Sequence, residues 1–157
     1  MNIKEGIEKR FSARAFTSEV PSMEIIKEIL TTANSAPSGG NIQPWKVYVL
    51  NQDSKTKLAE QTLHNFDTGV QEEIEYDIYP KPLGDEYKKR RYECGADMYK
   101  ALSIEKDDLD SRFKQIRENY NFFGAPLGMI ITIDKSFGKN GWGHVGMFLE
   151  NLWLSAI

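Results

Sequence analysis

The chain has 157 residues, a length that fits one domain and suffices to bury a sizeable core. Apolar residues make up 40% and aromatic residues 11%, which excludes a disordered chain, and a formal net charge of −3 argues against a nucleic-acid surface. A single cysteine, Cys94, excludes an internal disulfide and suits a reducing compartment.

The N-terminal Met1-Asn2-Ile3-Lys4-Glu5 is not a secretory leader, and no apolar run is long enough to span a membrane, so the expected location is cytoplasmic. His64 and His144 are too few for a convincing metal site. Neither lies near Cys94 in sequence, so Cys94 reads as an ordinary thiol.

Ile3, Ile7 and Phe11 recur every four residues and predict a short amphipathic helix. The run Lys9-Arg10-Phe11-Ser12-Ala13-Arg14-Ala15-Phe16 closes it. Arg10, Ser12 and Arg14 alternate, so an extended backbone would place two guanidiniums and a hydroxyl on one side, a set that suits a phosphate. The competing reading is a basic helix C-terminus that complements the dipole, with Phe11 and Phe16 in the core.

Ser22 is a predicted N-cap for a second helix whose apolar stripe is Ile25, Ile26, Ile29, Leu30 and Ala33. That helix is expected to end near Asn34-Ser35, before Pro37. The loop Ala36-Pro37-Ser38-Gly39-Gly40-Asn41-Ile42-Gln43-Pro44-Trp45 follows. Its prolines stop regular structure, and Gly39-Gly40 permits close approach of a flat ligand. Ser38, Asn41 and Gln43 can hydrogen-bond a polar ring edge. A plain helix-to-strand connection is the other reading of the same residues.

Lys46 to Leu50 alternates as a strand, and Asp53 or Ser54 is expected to cap a third helix carrying Leu58 and Leu63. Residues 66–92 are polar; Tyr79 to Gly84 reads as a loop, and Lys88-Lys89-Arg90-Arg91 as a mostly solvated helix face. A charged helix is predicted over Asp108 to Tyr120. Leu127 to Ile133 reads as a strand covered on both faces. Gly143 to Ile157 is a helix apolar on most sides, to be buried in the core or against a partner.

The Arg10-x-Ser12-x-Arg14-x-Phe16 run and the Pro37-Ser38-x-x-Asn41-x-Gln43-Pro44-Trp45 loop, in this order and spacing, resemble the nitroreductase family of flavoproteins. Asn119-Tyr120-Asn121-Phe122-Phe123-Gly124-Ala125-Pro126 before an apolar strand is similar to a further part of the family. The resemblance implies one α+β domain over residues 1–157, with a central, mostly antiparallel sheet flanked by helices and assembled as a homodimer. It implies FMN as cofactor, NADH or NADPH as hydride donor, and a small-molecule acceptor of nitroaromatic or quinone type, reduced by a ping-pong mechanism. No membrane or nucleic-acid partner is implied.

The flavin carries the chemistry, so no catalytic side chain is expected, and the chain shows no P-loop. Transferred position by position, the resemblance assigns cofactor binding to Arg10, Phe11, Ser12, Arg14, Pro37, Ser38, Gly39, Asn41 and Gln43. Arg10, Ser12 and Arg14 would meet the phosphate, the ribityl chain and the N1/O2 side of the ring; Trp45 is expected to anchor the loop by packing. Arg90 or Arg91 is a candidate to reach a partner subunit's flavin. Phe122 to Pro126 either lines the substrate side of the pocket or packs in the core, with packing favoured. Family members continue past the equivalent of Ile157, so a C-terminally incomplete domain is expected. Two alternatives stand beside the reductase: other chemistry on the same scaffold (dehalogenation, flavin destruction or dehydrogenation), and a non-catalytic or ligand-binding remnant.

Overall fold

The computed structural model describes residues 2–70, 73–74 and 76–157, which divide into two compact units. The first comprises residues up to Lys57 and from Gly124 to Ile157; the second is Leu58–Phe123. Part of the polar 66–92 stretch (residues 71, 72 and 75) lies outside the described residues.

The first unit contains α1 (Ile3–Lys9), α2 (Met23–Ala33), β1 (Trp45–Leu50), the start of α3 (Gln52–Asp67), β2 (Gly128–Ile133) and α6 (Gly138–Ser155). The second contains the remainder of α3, α4 (Asp85–Ala101) and α5 (Leu109–Arg117).

Local chemistry explains the helix starts. Asn2 and Glu5 form a reciprocal capping box on α1. The Ser22 hydroxyl accepts from the Ile25 N–H at 3.3 Å, as the sequence predicts. The cap of α3 is neither Asp53 nor Ser54 but Asn51, whose side chain accepts from the Ser54 N–H at 2.9 Å. This places the start of the helix at Gln52, ahead of both expected caps. Asp108 caps α5, and the helix ends at Arg117, short of Tyr120.

β1 and β2 pair antiparallel, Trp45 opposite Ile133 and Leu50 opposite Gly128. One face of this ribbon presents Val47, Met129 and Ile131 to a core of Ala33, Ala36, Trp45, Phe148 and Leu152, supplied by α2, the following loop, β1 and α6. On the other face Tyr48 is 54% exposed and Thr132 is open to solvent. The expectation that the 127–133 strand is covered on both faces is met only in part within this chain: on this second face Gly128 is buried and Ile130 half-buried, while Thr132 is open. α6 is buried along one side only, at Gly141, Phe148 and Leu152, while Trp142, Met147 and Trp153 are exposed. Phe11 and Phe16 are not core residues; Phe11 is 77% exposed.

In the second unit Phe66 stacks on Phe113 and lies against Tyr120, with ring centroids 5.0 and 4.6 Å apart. Arg117 grips Asp67 through two parallel bonds of 2.8 Å, a bidentate pair joining α5 to α3. The hydroxyl of Thr62 donates to the Tyr120 carbonyl at 3.0 Å. No helix among the described residues is long and apolar enough to cross a membrane, and no cluster of metal-ligating side chains occurs among them.

Candidate functional site

Both predicted binding segments belong to the first unit, and both lean on α6. The loop after α2 is held by its own polar groups. The Ser38 hydroxyl accepts from the Gln43 N–H at 2.9 Å, and the Ser38 carbonyl accepts from the Asn41 N–H at 2.9 Å. The Gln43 side-chain amide donates to the Asn34 carbonyl at 3.1 Å, and the Trp45 indole N–H donates to the Asn34 side chain at 2.9 Å. Gln43 thus positions the loop, and Trp45, 8% exposed, anchors it.

The backbone pays a conformational cost here. Gly40, Asn41 and Gln43 have φ of 59°, 54° and 44°. Glycine and asparagine enter the left-handed region readily, but glutamine there is strained by about 1–3 kcal/mol. Strain held in place by a surrounding hydrogen-bond network is a mark of functional loops.

His144, in the second turn of α6, is the residue that sequence reasoning missed. Its Nε2 accepts from the Gly39 N–H at 3.3 Å across 105 positions of chain. That bond assigns the remaining ring proton to Nδ1. Among the described residues, Nδ1 is the buried side-chain polar atom with no hydrogen-bond partner. A Cβ built on Gly39 would stand 3.4 Å from Nε2, in van der Waals contact with the ring. Only the surplus of small residues Gly138, Gly141, Gly143 and Gly146 around His144 hints in the sequence at a helix approached closely.

The segment after α1 is non-helical from Arg10 onward, as an alternating phosphate-binding run requires. Arg10 lies 4.0 Å from the Glu150 carboxylate, and its guanidinium sits 5.7 Å from the Trp153 ring centroid. Arg14 donates to the Ser12 carbonyl at 3.0 Å, which curls the segment back on itself. Phe11 and Ser12 are exposed. Glu150 lies six residues beyond His144, roughly 9 Å along the α6 axis, so one helix supports both segments.

Of the later motif, Ala125 is 8% exposed and its carbonyl accepts from the buried Lys55 ammonium, a packing role. Phe122 and Phe123, half-buried, both have φ of 52°. Arg90 is matched to Glu86 on its own helix, and Arg91 lies over the Tyr79 ring at 4.7 Å.

The two segments place Arg10, Arg14 and the left-handed loop at Gly40 and Asn41 on one α+β frame. The family model for the nitroreductase family matches residues 7–157, and the chain belongs to that family. A nitrobenzene nitroreductase of Ectopseudomonas oleovorans is 30% identical over 155 residues, 98% of this chain and 68% of that protein. A 4-nitrobenzoate reductase of Nocardioides sp. (strain LMS-CY) is 34% identical over 150 residues, 94% of this chain and 61% of that protein. The solved FMN and NADPH-dependent nitroreductase NfnB from Sphigopyxis sp. strain HMH superposes with a TM-score of 0.91 at 32% identity, covering 99% of this chain and 70% of that one. The chain therefore spans between 61 and 70% of the length of these relatives.

Proposed function

We propose that this chain forms the N-terminal flavin-binding part of an FMN-dependent reductase that takes hydride from NADPH or NADH and delivers it to nitroaromatic or quinone acceptors in a ping-pong cycle. The observation that carries this reading is the joint support of the Arg10–Arg14 segment and the Pro37–Gln43 loop by α6. Bound FMN supplies a ring that accepts hydride at N5 and passes it to a second substrate. The residues assigned to hold it are Arg10, Phe11, Ser12, Arg14, Pro37, Ser38, Gly39, Asn41 and Gln43.

The residues present fit that group. Arg10 has a loose, half-exposed partner in Glu150, so exchanging it for a phosphate costs little. The left-handed Gly40-Asn41 turn exposes backbone at a point where no long side chain intervenes. Gln43 and Ser38 also fix the shape of the loop through their bonds within it, leaving the Ser38 hydroxyl proton and the Gln43 side-chain oxygen for the cofactor. A positive charge at the N1/O2 side would favour the reduced ring, a role this reading gives to the Arg10–Arg14 segment.

The reading extends to a cytoplasmic homodimer. Ile3, Ile7 and Phe11 on and after α1, and Trp153 on α6, are half to four-fifths exposed, an apolar surface of the kind that a partner subunit covers.

The test is flavin retention in the Arg10→Ala variant. The protein is purified with excess FMN, and bound flavin is measured by absorbance together with thermal stability. The expected result is a large loss of flavin with little change in stability; unchanged flavin content would overturn the assignment.

A further inference from the structure

We propose that the second unit carries a separate binding groove for a nucleoside polyphosphate, formed by the C-terminal half of α4 and the turn that leads to α5. This goes beyond the flavin reading and stands independently of it. The groove encloses about 640 Å³, within the range of small-ligand sites.

Its lining carries five cationic side chains and one carboxylate, Glu105. Along α4, cations are matched in the ordinary way: Lys88, at the edge of the groove, to Asp85 at 3.0 Å, Lys89 to Glu93 at 3.8 Å, and Arg90 to Glu86. Such i,i+3 and i,i+4 pairs are what a solvated helix face provides. Lys100, Lys106 and Arg112 break that pattern: among the described residues they make no ion pair. Of the nearby acids, Asp108 is engaged by the Ser111 N–H at 3.0 Å, and that bond, ahead of the charges of Lys114 and Arg112, holds its carboxyl below the usual carboxylate range. Three cations without an ion pair, beside one lining carboxylate, suit an anion with more than one charge.

The groove is also built. Arg112 lies over the Tyr99 ring with 4.2 Å to the centroid, and its Nε–H donates to the Glu105 carbonyl at 3.2 Å. These two contacts hold the guanidinium in place and leave its terminal amino groups for a ligand. The backbone rim is equally defined. Ser103 takes φ of 55°, its N–H reaches the Lys100 carbonyl at 3.1 Å, and the Ile104 N–H reaches the Tyr99 carbonyl at 2.9 Å. These two bonds make a Schellman closure, which sets where Glu105 and Lys106 emerge. Tyr92 and Tyr99 give the wall flat aromatic surface, and a Cβ built at Gly95 meets nothing within 4 Å. A planar base against the exposed Tyr92 ring, with phosphates at Lys100, Lys106 and Arg112, uses these features together.

The experiment is isothermal titration of the full chain, saturated with FMN, with ADP, and separately with adenosine and with inorganic pyrophosphate. The expected result is that ADP binds more tightly than either fragment and that its affinity falls as salt rises. Arg112→Gln and Lys106→Gln should each weaken ADP by about tenfold without loss of flavin. The Arg10→Ala variant should bind ADP as the unaltered chain does, which separates this groove from the flavin phosphate site. Absence of ADP binding, equal affinity in both groove variants, equal affinity for pyrophosphate, or loss of ADP binding in Arg10→Ala would each overturn the proposal.

Discussion

The Trp45 ring lies on the Phe148 ring with centroids 4.9 Å apart and planes inclined by 22°, while its indole N–H donates to Asn34. One side chain therefore ties the last residue of the candidate flavin loop to α6 and to the C-cap of α2. Phe148 is 1% exposed and is the largest fully buried side chain among the described residues. Phe148→Ala is expected to cost about 3–5 kcal/mol, the transfer and cavity cost of a buried aromatic ring. Urea unfolding measures it, and flavin retention should fall in the same variant, because the loop loses the surface on which Trp45 rests.

Gly141 separates α6 from what lies beneath it by less than a methyl group. A Cβ there would overlap Ile133 and stand 2.7 Å from the Phe137 Cβ. Gly141→Ala is expected to destabilise by about 1–3 kcal/mol, since overpacking outweighs the gain in helix propensity. Gly143 and Gly146 lie on the same helix with open space at their Cβ positions. Alanine at either should instead stabilise by about 0.5–1 kcal/mol. Thermal unfolding of the three variants checks the contrast in sign.

His144 predicts a coupling between α6 and the loop. His144→Ala removes the acceptor for the Gly39 N–H and also removes the buried, unpartnered Nδ1. The two effects on stability oppose each other, so the net change is expected within about 1–2 kcal/mol. Flavin retention, by contrast, should fall clearly, because Gly39 loses its brace. A variant that keeps flavin as well as the unaltered chain would show that the loop holds its shape without α6.

Asp67 gives a pH signature. The hydrogen bond from Arg117 is the main reason its pKa is lowered, and the Arg117 pKa is raised in return, chiefly by the same bond. A carboxylate whose folded-state pKa lies below its unfolded value stabilises the fold above the unfolded value, about 3.9, and loses that contribution as pH falls through the folded value. Asp67→Asn should therefore lower the melting temperature at pH 7 and make no difference once the pH is below the folded-state pKa. Melting curves of the two proteins from pH 7 to pH 2 should converge in acid.

Ser103 occupies a left-handed position where glycine is the usual residue. Ser103→Gly is expected to stabilise by about 0.5–1 kcal/mol, relief of backbone strain less the added freedom of the unfolded chain. Urea unfolding midpoints measure the difference.

The sequence by itself determined most of the local structure. Ser22 as a cap, the end of α2 before Pro37, the break after α1 and the loop between Pro37 and Pro44 all follow from residues whose backbone preferences or short-range hydrogen bonds act within four positions. The alternation in Lys46–Leu50 and the apolar run at 128–133 likewise declared two strands, and their pairing needed only the antiparallel register. Asn51 was open to the same reasoning, since asparagine is as good a cap as the Asp53 two residues later.

Only the tertiary structure decided what depends on the angle at which distant elements meet. Nothing local to His144 announces that its ring faces Gly39, and nothing local to Ile130 or Tyr48 says which face of the ribbon stays open. The same holds for the groove beside α4: Lys88 and Arg91 read in sequence as part of a solvated helix face, and only the folded second unit brings Arg112 over Tyr99 and Lys106 into the same groove. Short-range preferences are summed residue by residue, whereas contacts across a hundred positions are set by packing, which no single residue encodes.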